Sequence, residues 1–234
     1  MKTLFWTGSA CASPRHGQAR VWRWWYYYQP HQAALGVTHW AVFNNGDTHL
    51  PVEAWATRHD ASLPLPELCE KKLHVIYHAP ELKRADVHNY DGFWRNLQSA
   101  LRVCAEQAFD RFIQIEGDAY ILNPNLFIEI GGTTSGLVTY WSPGHNIPES
   151  AIVICSADHF KRLAEVVDAI RAKSGGCTAA DRFEVAAPWT DIRKDRKGDR
   201  YPEFGPSVPA DAQYCTQLVP WAIIQPDGRI DSAL

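Results

Sequence analysis

Two carboxylates one residue apart, Glu116 and Asp118, follow the apolar run Phe112-Ile113-Gln114-Ile115 and precede another, Ala119-Tyr120-Ile121-Leu122. A short run rich in β-branched residues reads as a buried strand, so the acids stand at its carboxyl end. Side chains two apart point to the same face while strand geometry lasts, which would bring the acids together. Paired carboxylates repel and raise one pKa unless a cation or donor lies between them. Hard divalent cations prefer oxygen ligands of this kind. The competing reading is an ordinary wet strand end, and the apolar residues on both sides weigh against it.

Other residues with chemical potential are weaker signals. Thr7-Gly8-Ser9-Ala10 ends the first apolar run with small residues that would let a nucleotide approach backbone amides; a tight turn would use the same residues. Asn44 and Asn45 suit a base or a ribose and suit turn chemistry equally. Arg95, near the start of a long helix, can pair with phosphate or simply face solvent. HExxH, GxSxG, GxGxxG and Walker patterns are absent, which disfavours zincins, serine hydrolases, dinucleotide folds and P-loops.

These residues need a scaffold, and the pattern supplies one. Strands are expected at Thr3–Thr7, Val37–Phe43, Leu73–Tyr77, Arg111–Ile115, Gly136–Trp141, Ala151–Cys155 and Trp221–Ile224. Helical periodicity covers Ala19–Leu35, broken near Pro30 and closed by Gly36, and again Tyr90–Ala108 and His159–Lys173, the last capped by Asp158. Residues 48–70 read as irregular, Asp191–Asp199 as a solvated or mobile charged loop, and Ala210–Leu218 as a short helix. Alternating strands and helices predict an α/β fold, a three-layer α/β/α sandwich with a mostly parallel sheet.

The 234 residues fit one domain with a full core, 46% hydrophobic and 21% charged. A net charge of −3 offers no general attraction for nucleic acid. Ten Trp are many for this length; most are expected in the core. The six Cys show no CxxC spacing, and Cys104 and Cys155 read as buried free thiols in a reducing, cytoplasmic compartment. The N-terminal run is too short for an export signal, and no stretch approaches the ~18 apolar residues of a membrane span.

The order of strand, aromatic-rich helix, strand ending in Asn-Asn, long helix with Arg95-Asn96, strand and acid-x-acid resembles the GT-A glycosyltransferases. Arg95 to Asp118 is similar to their helix–strand unit running into the DxD motif, written here Glu-Gly-Asp. Trp25 to Asn45 resembles their second strand approach, and Pro148 to Phe160 their acceptor-side strand and helix. The resemblance covers residues 3 to about 185. It implies a single domain over 1–234, with about 1–118 binding nucleotide and about 119–234 facing the acceptor. It implies a nucleotide-sugar donor, UDP-linked by family habit, a glycan or lipid-linked hydroxyl acceptor, and Mn²⁺ or Mg²⁺. Asp118 would ligate the cation, and Glu116 would ligate it or touch the ribose or a metal-bound water. Thr7, Ser9, Asn44, Asn45 and Arg95 would line the nucleotide. Cys177 to Glu184 is similar to the segment that carries the family's acidic base, which favours Asp181, with Glu149 next. Work at the inner face of a membrane is compatible with such an acceptor. Two alternatives stay open: a nucleotidyltransferase acting on a sugar phosphate, and a non-catalytic sugar- or nucleotide-binding protein.

Overall fold

The computed structural model describes residues 1–9, 18–45, 56–62, 64–65, 67–78, 91–173, 178–201, 208–217, 222–224 and 230–232. Cys11, Cys177, most of the Gly8–Gly17 loop and the Gly46-Asp47 turn lie outside these residues.

Eight strands form the main sheet in the order β3-β4-β2-β1-β5-β8-β7-β9. They are β1 (Thr3–Ser9), β2 (His39–Asn45), β3 (Ala56–Asp60), β4 (Leu73–His78), β5 (Arg111–Ile115), β7 (Leu137–Ser142), β8 (Ile147–Ser156) and β9 (Asp191–Arg193). Only β8 opposes its neighbours; every other pairing is parallel. Three short strands, β10 (Gly198–Arg200), β11 (Tyr214–Thr216) and β6 (Tyr120–Ile121), form a second sheet. The strands β12 (Ala222–Ile224) and β13 (Ile230–Ser232) form a third.

Central strands are apolar on both faces because helices cover both. On one face Phe5, Trp40, Val42, Ile113, Ile152 and Ile154 pack against α1 (Arg23–Tyr28), α2 (Gln32–Leu35) and α4 (Pro124–Gly132). On the other, Leu4, Trp6, Phe43, Phe112 and Val153 pack against α3 (Asp91–Glu106), α5 (Ala157–Arg171) and α6 (Phe183–Ala186). This is the expected three-layer α/β/α sandwich. Trp6, Trp24, Trp40 and Trp94 are fully buried, as the core reading of the indoles requires. Phe5 lies 5.0 Å from Trp24 and 4.8 Å from Trp40, and each such ring pair adds roughly 0.5–1.5 kcal/mol beyond area burial.

The aromatic segment is articulated rather than continuous. A single π turn (Gln18–Trp22) leads into α1, a 3₁₀ turn follows at Gln29–His31 where Pro30 cannot donate, and Gly36 closes α2 in the left-handed region at φ 63°. A side chain at Gly131 would collide with the Ala34 carbonyl oxygen at 1.9 Å, so α2 and α4 touch backbone to backbone.

Four local expectations are corrected. Ala56–Asp60, expected irregular, is the edge strand β3, paired along its length with β4. Within Asp191–Asp199, β9 pairs with β7, and β10 begins at Gly198 and pairs with β11. Arg193 and Arg196 of this stretch pair with Glu129. Ala210–Leu218 holds β11 instead of a helix, because Tyr214 and Cys215 are needed opposite Ile121 and Tyr120. Asp158 sits inside the first turn of α5 and Ser156 is the residue before it; the Ser156 hydroxyl donates to Asp158. The helix α4 was not expected; Asn123 caps it by accepting from Asn125 N at 2.9 Å, and Pro124 opens it.

At the amino end of β5, Arg111 is fully buried, and among the described residues it has no carboxylate partner. Its guanidinium donates to Thr3 Oγ1 (3.0 Å) and to the carbonyls of Leu35 (2.8 Å), Ile130 (3.2 Å) and Thr133 (2.5 Å). Those carbonyls lie at the carboxyl ends of α2 and α4, where the helix dipole is negative. Burial pulls its pKa down to about 10, and the charge is retained at neutral pH.

Candidate active site

From β1 the chain moves outward to β2 and the edge strand β3, turns back to β4 between those two, and then α3 carries it to β5 on the other flank of β1. The order therefore reverses between β1 and β5, and ligands of open α/β sheets bind beyond the carboxyl ends at such a point. Glu116 follows β5 there.

Glu116 N donates to Ala151 O at 2.9 Å, so the ladder with β8 runs one residue past Ile115. Ala119 N then donates back to Glu116 O at 3.0 Å, closing a β-turn over Glu116-Gly117-Asp118-Ala119. A turn, and not strand alternation, therefore brings the two carboxylates into each other's field. Glu116 is half-buried, and its pKa is pushed up to about 8, by burial first and then by Asp118 and Glu149, against the pull of Arg20 and Arg200.

Asp118 is divided between two environments. Its Oδ2 is ion-paired with Arg20 Nη2; its Oδ1 is buried and has no hydrogen-bond partner among the described residues. Thr7 is buried beside this turn: its Oγ1 would stand 3.9 Å from a Cβ placed on Gly117, and Arg20 Cβ and O would stand 3.8 Å away.

The aromatic helix grips the same backbone. Trp24 Nε1 donates to Ile115 O (2.9 Å), Tyr28 OH to Ala119 O (2.9 Å) and Tyr27 OH to Ile121 O (2.5 Å). Arg23 Nε donates to Tyr120 OH at 2.5 Å and its guanidinium lies 5.0 Å from that ring. The run of aromatic residues thus has a second task besides filling the core: it fixes the strand end that carries the acids.

Ser9 and Asn44 are buried and face one another across β1 and β2, and Asn45 closes β2 opposite His78. Arg95 lies in the first turns of α3, buried; burial first and then the Arg95 charge bring the His78 pKa down to about 4. Its neighbour Asn96 packs on β1; Nδ2 would stand 3.0 Å from a Cβ at Gly8.

The two expected bases are occupied. Glu149, 1% exposed, accepts from Arg200 Nε (3.0 Å) and Nη2 (3.1 Å), from Ala151 N (3.0 Å) and from Thr216 Oγ1 (3.2 Å). Arg200 also donates to Glu184 at 3.0 Å. Burial alone would depress the Arg200 pKa, but the two carboxylates hold it raised. Asp181 accepts from Thr178 N (2.8 Å), Thr178 Oγ1 (2.7 Å) and Lys173 Nζ, and these donors, Lys173 first, bring its pKa down to about 2. A carboxylate so saturated is a poor proton acceptor. Glu149 reaches the acid pair through its field on Glu116; no described interaction links Asp181 to it.

Sequence reasoning missed Arg20, Arg23 and Arg200. Arg20 and Arg23 stand three apart in the aromatic run, a spacing that puts them on neighbouring helix positions. Arg200 comes from the distant charged stretch and carries no local signal.

The fold has a solved counterpart. A crystal structure of a glycosyltransferase involved in the glycosylation of the major capsid of PBCV-1 matches with a TM-score of 0.50 at 11% identity. The match covers 94% of this chain and 95% of that one. At this identity the likeness establishes a shared fold. No family model matches the sequence, and neither does any curated protein. Among the described residues no three His, Cys, Asp or Glu side chains converge on a metal-binding point, and no helix is long and apolar enough to cross a membrane.

Proposed function

We propose that the chain is a metal-dependent glycosyltransferase of the GT-A kind. It would move a hexose from a nucleotide-sugar to a hydroxyl on a glycan or lipid-linked acceptor. The observation that carries the reading is the acid turn at the switch point, which brings the carboxylates of Glu116 and Asp118 into each other's field. The fold shared with a solved glycosyltransferase supports it.

The donor set fits Mn²⁺ or Mg²⁺. Such ions are held by one or two carboxylates, with water and phosphate oxygens completing the shell, so Asp118 and Glu116 suffice. When bound, the cation offsets the negative charge that develops on the departing nucleoside diphosphate. Thr7 and Ser9 at the tip of β1, Asn44 and Asn45 at the tip of β2, and Arg95 on α3 form the nucleotide side. Arg95 is the one of these that pairs with phosphate. A UDP-linked donor and work at the cytoplasmic face of a membrane follow from the resemblance. The geometry favours neither Glu149 nor Asp181 as the base, since both carboxylates already bind cations.

A thermal-shift panel of nucleoside diphosphates with and without Mn²⁺ tests the reading. A ligand at 100 times its Kd stabilises by about 2.7 kcal/mol. One nucleoside diphosphate should raise Tm in a Mn²⁺-dependent way, and Asp118→Asn should abolish the increment. Full transfer activity in Asp118→Asn would sink the assignment.

A further inference from the structure

Arg20 is the cation already present at the acid turn. The two oxygens of Asp118 differ in access: Oδ1 is sealed from solvent, and Oδ2 is the one held by Arg20. A cation arriving from solution therefore meets an oxygen that a guanidinium occupies. Arg20 is 29% exposed, so it can leave toward solvent without unpacking the core. It sits on the single π turn Gln18–Trp22, an irregularity common at functional sites. Its charge also acts on Glu116. A guanidinium and a divalent ion on the same carboxylate oxygen would repel. A guanidinium does suit a diphosphate, to which it can donate two parallel hydrogen bonds.

We propose that Arg20 and a divalent cation exchange on Asp118: the guanidinium holds Oδ2 in the resting protein and passes to the donor's diphosphate when the ion takes its place. The diphosphate half of this exchange rests on the glycosyl-transfer reading; the metal half does not. Arg20 is thus a binding residue for the leaving group as well as a placeholder for the ion.

The test separates the halves by sign. Free Mn²⁺ is measured by electron paramagnetic resonance in the unmodified chain, Arg20→Gln and Arg20→Lys, without nucleotide. Pyrophosphate binding is measured by calorimetry at saturating Mn²⁺, which frees the guanidinium. Arg20→Gln should bind Mn²⁺ on the order of tenfold more tightly and pyrophosphate on the order of tenfold more weakly, within the usual range of coupling between linked ligands. Arg20→Lys, which keeps the charge and the fold, should leave Mn²⁺ affinity nearly unchanged and weaken pyrophosphate only. A residue that merely steadied Asp118 would give the reverse, weaker Mn²⁺ binding in Arg20→Gln. That result, unchanged Mn²⁺ affinity, or no Mn²⁺ binding by either protein would overturn the exchange. Tighter Mn²⁺ binding in Arg20→Gln alongside no binding of pyrophosphate or UDP to the unmodified chain would uphold the metal half and overturn the glycosyl-transfer reading.

Discussion

Strand β5 begins at one charge and runs into a turn that carries others, and the two ends are treated in opposite ways. At its amino end, Arg111 is sealed from water and surrounded by four neutral acceptors, two helix ends among them. Just beyond its carboxyl end, Asp118 keeps one oxygen without a partner among the described residues, and Glu116 is pushed toward its protonated form. Both ends sit on the same well-packed strand, so the difference is not one of local packing quality. A charge whose hydrogen-bonding capacity is met holds the fold together. A charge left short of partners costs stability and is retained where a ligand completes it.

Removing Arg111 should give the largest effect and confine it to stability. Arg111→Met strands the carbonyls of Leu35, Ile130 and Thr133 in the interior, at a cost of about 3–5 kcal/mol, the usual scale for breaking a buried charged network. Chemical denaturation measures it, and Mn²⁺ and nucleotide binding of the protein that remains folded should be unchanged. A variant of undiminished stability would break the contrast between the two ends.

Glu149 sharpens the contrast, since it lies close to the acid turn yet resembles Arg111 in being satisfied. Glu149→Gln leaves Arg200 with a neutral partner and should lose about 3 kcal/mol of stability. Transfer per folded molecule should fall by no more than a few-fold. A loss of about 10³-fold with stability intact would instead identify Glu149 as the general base.

Asp118→Asn should behave in the reverse sense. Its pair with Arg20 is partly exposed, so stability should change by about 1 kcal/mol or less. Transfer should fall by roughly 10²–10³-fold, the scale seen when one group stabilising developing charge is removed. Parallel measurement of Tm and initial rate places each variant on one side of the comparison.

The same distinction explains what the sequence made legible. The acids were visible because strong apolar runs bracket them, and the central strands because both of their faces are buried. The edge strand β3, Ala-Thr-Arg-His-Asp, was not, because an edge strand carries polar residues and its pattern resembles a loop. The strands β9, β10 and β11 are three residues each, too short for periodicity to register. The partners of the site were hidden for another reason. That Glu149 is neutralised by Arg200 and Asp118 by Arg20 follows from contacts 51 and 98 residues apart, which no local pattern encodes. A turn at Gly117 also ended the strand geometry on which the expected alignment of the two acids depended.

A buried titratable pair far from the acid turn gives the smallest effect and extends the comparison to pH. His59 Nε2 and His74 Nδ1 lie 2.8 Å apart, and Cys69 N donates to His74 Nε2 at 3.0 Å. His74 is 1% exposed, and burial brings its pKa down to about 4. The folded state therefore favours the neutral ring, whereas the unfolded chain binds a proton near the ordinary value of about 6.5. The associated stability is fully present above pH ~6.5 and is lost as pH falls through about 4, on the order of 2–3 kcal/mol in all. Denaturation at pH 7.0, 5.5 and 4.5 should show this decline, and His74→Phe should flatten it. If the decline survived in His74→Phe, the acid sensitivity would belong to other groups, and the His pair would lose its place among the satisfied charges and polar groups that serve the fold alone.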